Sequence, residues 1–394
     1  MNISPATIAS SPVTLPEELI AEVLSLLKVK SLLRFKCVNK SWNSLISDPF
    51  FVKMHLIKSS RNPHILHSLT YLSSTSNSKI GLQNLSILRS LLENPSINLF
   101  PKDSIYLMEK CCHIIGSCNG LTCLVTSPRY PKCEIELDIW NPATRCLSQK
   151  LDSWYHDLNF LFKLSFGYDN LTDKYKVVAF RSKQVRVFTI GDNVWRNVQI
   201  FPTYPYEDPY TCCQLNGVYL NNSLNWFSLR GFRPNDCYRS RNLSVQQFVI
   251  ISFDLGIETN TQILFPHDFD QVPDVPPIVC VLMECLCFSH YSKGCDFVIW
   301  QMKELGVQES WTKLLKFDYC NQCGIFEVHD MLPLHVFENG DTLIFASNPK
   351  QLILYNCSEN RVVKQTTVTN RILISWFNIN NYVESLLSLI QWKW

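Results

Sequence analysis

The chain has 394 residues, 46% of them apolar and 18% charged, which suits an ordered globular protein rather than a disordered one. A net charge of +2 excludes a global electrostatic pull toward nucleic acid or an anionic membrane, so a charged partner must be read locally. No apolar run reaches the roughly 18 residues of a membrane span, and the first residues lack the basic and apolar regions of a secretory leader.

Residues 1–13 are small and polar with two prolines and are expected to be disordered. Residues 14–56 read as helical. Thr14 with Glu17 matches a capping box, Pro16 falls in the first turn, and Leu19, Ile20, Val23, Leu24 and Leu27 recur at helical spacing. A second helix is expected over Leu32 to Val38. A third starts near Asn39, carries Trp42, Leu45 and Ile46, and ends at Asp48-Pro49. This segment holds more aliphatic side chains than some 40 residues can bury among themselves. Between Val23 and Ser47 it also carries Lys28, Lys30, Arg34, Lys36 and Lys40 without one acid.

After about Arg61 the texture becomes β-branched and aromatic, in short runs bounded by Asn, Asp, Gly and Pro. Residues 82–94, "LQNLSILRSLLEN", are the exception and read as an amphipathic helix. Five units superimpose as an apolar strand, a polar turn and a second strand. Aligning Ile139, Val187, Ser252, Val298 and Ile353 gives intervals of 48, 65, 46 and 55 residues. Propeller blades repeat at about 40–50 residues, and hairpins that cannot bury both faces alone stack radially. Roughly 330 residues at that period predict six or seven blades. A large β-sandwich is the alternative, and it would not require the repeat. Asn119-Gly120, Asn141 to Thr144 and Asp169 to Asp173 read as turns between strands, fold punctuation rather than a site.

The chemistry-bearing residue types form no strong pattern. Cys320-x-x-Cys323 with His329 and His335 is spaced too closely for a zinc finger. No nucleophile elbow, phosphate-cradling glycine loop or His-Glu-x-x-His occurs. No cofactor, metal or catalytic residue is expected. The 17 cysteines, an odd number, are expected as free thiols in a reducing compartment, cytoplasmic or nuclear, where sequons such as Asn170, Asn221 and Asn242 carry no glycan.

"LPEELIAEVLSLL" followed by "VKSLLRFKCVNKSWNSLISDPFFVKMHL" strongly resembles an F-box over residues 15–56. Lys28 stands where the family usually has proline, a departure expected to extend or loosen the first helix junction. "IGSCNGLTCL", "DIWNPATR", "FGYDNLTDKYKVVAF", "GVYLNNSLNWFSL", "IISFDL" and "YVESLLSL", in family order, resemble the kelch-like F-box-associated domain of plant F-box proteins.

The resemblance implies a three-helix F-box over 14–56 and a kelch-like β-propeller over 57–394. The F-box would dock a Skp-type adaptor, and through it cullin and RING subunits, by way of Leu15, Pro16, Leu19, Ile20, Leu24, Leu32, Leu33, Arg34, Val38 and Trp42. An acidic adaptor would complement the basic residues. The β domain would present a target protein of unknown identity for ubiquitination and proteasomal degradation, with no enzyme chemistry of its own and neither nucleic acid nor membrane as partner. The alternative is an F-box scaffold or lectin-like module outside protein turnover. The resemblance also suggests one blade built from both ends of the domain, pairing 64–72 with the strands at 351–356, 361–368 and 370–379.

Overall fold

The computed structural model describes residues 15–60, 64–71, 79–85, 96–98, 106–108, 111–127, 134–148, 151–155, 163–181, 184–198, 203, 205–206, 217–231, 238, 242–292, 296–323, 331–337, 340–347, 351–369, 372–374 and 380–387. The segment 1–13 expected to be disordered and most of the expected helix 82–94 lie outside them. Four helices come first, α1 (Glu17–Leu24), α2 (Val29–Phe35), α3 (Lys40–Ser47) and α4 (Pro49–Ser59), and the regular structure after them among the described residues is mostly strand.

Five sheets are built from consecutive strands. Blade I contains β5 (Cys111–Cys118), β6 (Leu121–Ser127) and β7 (Glu134–Asn141), with β8 (Cys146–Leu147) and β9 (Asp152–Tyr155) both on β7. Blade II is β10 (Lys163–Asp169), β11 (Lys174–Arg181), β12 (Gln184–Thr189) and β13 (Val194–Val198). Blade III is β14 (Val218–Leu220), β15 (Ser223–Leu229), β16 (Phe248–Asp254) and β17 (Asn260–Leu264). Blade IV is β18 (Ile278–Leu282), β19 (Cys285–Tyr291), β20 (Asp296–Met302) and β21 (Trp311–Asp318). Blade V is β22 (Met331–Val336), β23 (Thr342–Ser347), β24 (Gln351–Asn356) and β25 (Arg361–Thr369), with β3 (Ser96–Asn98) added parallel to β25. The five residues aligned in the sequence, Ile139, Val187, Ser252, Val298 and Ile353, all fall on the third strand of a blade.

The sixth sheet is of a different kind. Here β1 (His64–Tyr71) pairs on one side with β2 (Lys79–Leu85), which carries β4 (Tyr106–Met108), and on the other with β26 (Ile372–Ile374) and β27 (Asn380–Tyr382). The blades made of consecutive strands therefore number five, not six or seven. The length estimate counted as blade the long connections, such as 265–277, and the strands that close the ring. The early strand does meet the C-terminal segment, through 372–374 and 380–382, but the hairpin at 351–369 belongs to blade V. One further expectation changes: residues 82–85 are strand, within the β2 that pairs with β1, rather than helix.

The reason for the ring lies in the strands. All seven residues of β15 are buried, as are six of seven in β16, β19 and β20, so both faces of each inner strand need apolar cover. Neighbouring blades supply it. Leu137 and Ile139 pack with Phe166 and Val177, and Val178 and Phe180 with Trp226 and Ile251. Phe265 meets Phe288 at 4.3 Å, and Phe317 meets Tyr355 at 4.6 Å. The outer strand β21 alternates toward solvent.

Turn chemistry recurs. The turn after the third strand of every blade places one residue in the left-handed region at the same offset: Arg145, Asn193, Glu258, Gly306 and Asn360. In three of these turns the last strand residue, Asn141, Asp254 or Asn356, accepts backbone N–H groups of the turn. Asn119-Gly120 makes the two-residue turn read from the sequence, both at positive φ.

A buried charge group locks blade II to blade III. Lys176 Nζ lies 2.9 Å from Asp169 Oδ2 and 2.9 Å from Glu258 Oε1, and donates to the Leu255 carbonyl at 2.5 Å. Burial alone would raise the Asp169 pKa. Hydrogen bonds from Thr172, Lys176 and the Leu171 amide outweigh it and hold the carboxyl below its ordinary value. Lys176→Met leaves buried Asp169 without its cation, while Glu258 keeps Arg196 at 2.7 Å, and is expected to cost about 3–5 kcal/mol. Urea unfolding of the full chain measures it, and a loss under 1 kcal/mol would contradict the lock.

Burial also lowers the pKa values of His55, His290 and His335, that of His290 to about 4. His290 Nε2 accepts from Trp300 Nε1 at 3.2 Å, so the ring is neutral in the fold. The unfolded chain binds a proton near pH 6.5 that the folded chain refuses. Stability from these groups is complete above pH 6.5 and declines as pH falls toward 4. His290→Gln keeps an acceptor without a titrating ring. Its unfolding midpoint should fall less than the parent's between pH 6.5 and 4.5, and equal slopes would refute the assignment.

Candidate adaptor-binding surface

Each helix boundary has a local cause. α1 begins after Pro16, which stands at the N-cap with a φ of −54° that suits helix entry and makes no side-chain cap; Thr14 of the expected capping box lies outside the described residues. α2 starts three residues earlier than the sequence suggested. Lys28 precedes it at φ −63°, ψ 147°, the backbone a proline would adopt, so the missing proline does not extend α1, which stops at Leu24. Asn39 accepts from the Trp42 amide at 2.7 Å and caps α3. Asp48 ends α3 and caps a fourth helix with Pro49 at its first position, a helix the sequence reading did not separate.

The helices close over Leu24, Val29, Leu32, Ile46 and Phe51, with Ile20, Leu27, Leu33, Trp42 and Leu45 half-buried around them. Trp42 packs edge-on to Phe35 at 5.1 Å. His55 Nε2 lies 2.9 Å from the Leu27 carbonyl, and Lys58 pairs with Glu22 and donates to Ser25 Oγ at 2.7 Å, which ties α4 to α1.

What remains outside is an apolar stripe. Leu15, Leu19, Val23 and Leu26 are 62%, 52%, 62% and 72% exposed; Leu19 and Val23, four residues apart, share one face of α1, Leu15 stands just before the helix and Leu26 in the turn just after it. Pro16 is exposed beside them, and Val38 is exposed in the turn before α3. Arg34 is exposed with Lys28, Lys30 and Lys40, while Lys36 is half-buried and its pKa lowered by burial.

Of the ten residues named from the resemblance, the structure thus exposes Leu15, Pro16, Leu19, Arg34 and Val38. It leaves Ile20, Leu33 and Trp42 half-covered, and puts Leu24 and Leu32 inside the helices' own core. The resemblance named residues on both faces of α1, because a motif match does not say which side a core occupies. It did not name exposed Val23 and Leu26, nor exposed Phe50 and Ile57 on α4.

Among the described residues no cluster of three or more His, Cys, Asp or Glu side chains could hold a metal ion. Eight described cysteines are free thiols, but Cys320 is disulfide-bonded, so the expectation that every cysteine is a thiol fails there.

Two family comparisons match this division of the chain. The F-box domain matches residues 14–53, and the F-box associated beta propeller domain matches residues 70–389. The chain belongs to the F-box proteins that carry this propeller. F-box/kelch-repeat protein At3g23880 of Arabidopsis thaliana is 29% identical over 371 residues, 89% of this chain and 90% of its own length. F-box protein CPR1 of the same plant is 25% identical over 375 residues, 86% of this chain and 79% of its own. Members of the F-box family are generally non-catalytic subunits, and an F-box indicates binding to a Skp-type adaptor.

The Lys28 backbone invites a substitution. Its φ is a proline's, and its N–H donates no hydrogen bond among the described residues. Lys28→Pro should stabilise the F-box by about 0.5–1 kcal/mol through the unfolded state. Chemical denaturation followed by helical circular dichroism tests this, and a fall in stability would show that Leu27 cannot adopt the backbone a following proline demands.

Proposed function

We propose that this F-box protein is a substrate receptor of a Skp–cullin–F-box ubiquitin ligase, working in the cytoplasm, the nucleus or both. The carrying observation is the exposed stripe Leu15, Leu19, Val23 and Leu26 on a domain whose core is already complete without it. A Skp-type adaptor covers that stripe, with Pro16, Val38 and the half-covered Ile20, Leu33 and Trp42 at its margin. Lys28, Lys30, Arg34 and Lys40 meet acidic groups of the adaptor. Leu24 and Leu32 act through the fold. The adaptor joins cullin and RING subunits, and the propeller holds a target for ubiquitination and degradation by raising its effective concentration at the transfer site.

The topology supports a target face on the propeller end away from the helices. Turns between first and second, and third and fourth, strands share one end, and Asn119-Gly120 and Asn141 to Arg145 of that end adjoin the F-box side. The opposite end carries the long connections. One of them, 265–277, is anchored by buried Phe265, Phe269 and Val275 and exposes His267, Asp268, Asp270, Gln271 and Asp274.

The test is co-purification of full-length protein with a recombinant Skp-type adaptor. Leu19→Asp with Val23→Asp should weaken binding at least 100-fold, since leucine-sized hot-spot contacts contribute about 2 kcal/mol each. Thermal unfolding should not move. Undiminished adaptor binding by the double variant would overturn the proposal.

A further inference from the structure

Residues 382–387 leave β27 and run between the propeller and the helices. On the propeller side they are clamped. Asn141 Nδ2 donates to the Ser385 carbonyl at 3.0 Å and to the Leu387 carbonyl at 2.9 Å. Gly120, at φ +77°, lies so close that an added Cβ would stand 2.1 Å from Ser385 Cβ and 2.7 Å from the Val383 carbonyl oxygen. Tyr382 is fully buried.

On the helical side the segment enters the F-box itself. Leu386 is 4% exposed and belongs to the same core cluster as Leu24, Val29, Leu32, Ile46 and Phe51. Glu384 Oε2 accepts the Val29 N–H at 3.1 Å, across 355 residues of sequence. That N–H is the first of α2, whose N-cap Lys28 offers no side-chain hydrogen bond, so a distant carboxylate does the work of a local cap. Its negative charge also suits the positive end of the helix.

We infer that the C-terminal segment Tyr382–Leu387 is a structural part of the F-box, so that adaptor affinity depends on the positioning residues Glu384 and Leu386 as well as on the stripe. The segment continues directly from β27, which pairs with β1 to complete the ring. Ring closure and a well-formed adaptor surface therefore form one cooperative unit. A chain whose propeller has not closed lacks the side chain that fills the F-box core and the carboxylate that caps α2. The coupling makes adaptor loading conditional on a finished propeller. It also holds the adaptor surface in a fixed direction relative to the far end of the propeller.

This inference rests on the adaptor reading, so its test has one arm that does not. Full-length Leu386→Asp, Glu384→Ala and Glu384→Gln are compared with the parent and with Leu19→Asp/Val23→Asp. The readouts are affinity for a recombinant Skp-type adaptor and hydrogen exchange of the Val29 amide, with the main thermal transition as a fold control. Leu386→Asp should weaken adaptor binding at least tenfold. Glu384→Ala should weaken it severalfold and speed Val29 exchange at least tenfold, and Glu384→Gln, which keeps an acceptor, should restore both in large part. Leu19→Asp/Val23→Asp should lose adaptor while Val29 stays protected.

Should Leu386→Asp fail to fold, the Glu384 pair decides. Parental affinity and parental Val29 protection in Glu384→Ala and Leu386→Asp would overturn the inference. So would weakened binding with unchanged Val29 protection, because the segment would then be touching the adaptor directly. If the parent itself binds no adaptor, the ligase reading fails, and the exchange arm alone decides the coupling.

Discussion

The structure depends on strands that are apolar on both faces. A sheet such as β14–β17, with Trp226 and Ile251 on one side and Phe227 and Ile250 on the other, needs a neighbour on each face, and those neighbours need the same. A linear stack would leave two terminal faces open to water. Joining its ends removes both, so the first strand after the helices pairs with the last strands of the chain rather than only with its sequence neighbour. β3, inserted between two strands of the closing sheet in sequence, adds to blade V and links those two sheets as well.

Closure has a consequence for the helices. Because the chain's two ends meet in one sheet, the segment after β27 emerges beside the helical domain that precedes β1. It fills that proximity with side chains that serve both bodies: Leu386 in the helical core, Asn141 holding the segment from blade I, and Ala143 packed against the helices. The F-box is thereby seated on the end of the propeller that carries the tight turns, and the long connections are left at the other end. A receptor that brings a target to a transfer site benefits from such a mounting, since a loose joint would dilute the effective concentration that the assembly supplies.

Polar residues inside the propeller follow the same logic of shared cover. Lys176 on β11 reaches the carbonyl and the carboxylate of the next blade's turn, at Leu255 and Glu258, and Ser165 accepts from both the Gly217 amide and Trp226 Nε1 across the same boundary. These are contacts between blades rather than within one. They explain why charged and hydroxyl side chains occur in strands that otherwise read as pure core.

The sequence by itself determined the class of fold and most of its units. The helical N-terminus, the turns at Asn119-Gly120, Asn141 and Asp169, and five repeats in phase on the third strands were legible because local backbone preferences and strand alternation are written residue by residue. The F-box was legible because its pattern is dense over some 40 residues. What only the tertiary structure decided is everything set by a distant partner. Spacing could not say that Leu24 and Leu32 face inward while Val23 and Leu26 face out, since both faces of α1 carry aliphatics and the choice depends on where α2 to α4 lie. The strand at 79–85 was hidden by polar neighbours and formed because β1 offered it an edge. Glu384 and Leu386 entered the sequence reading only within "YVESLLSL", a piece of the family resemblance, and they reach α2 and the helical core because ring closure carries them more than 350 residues back.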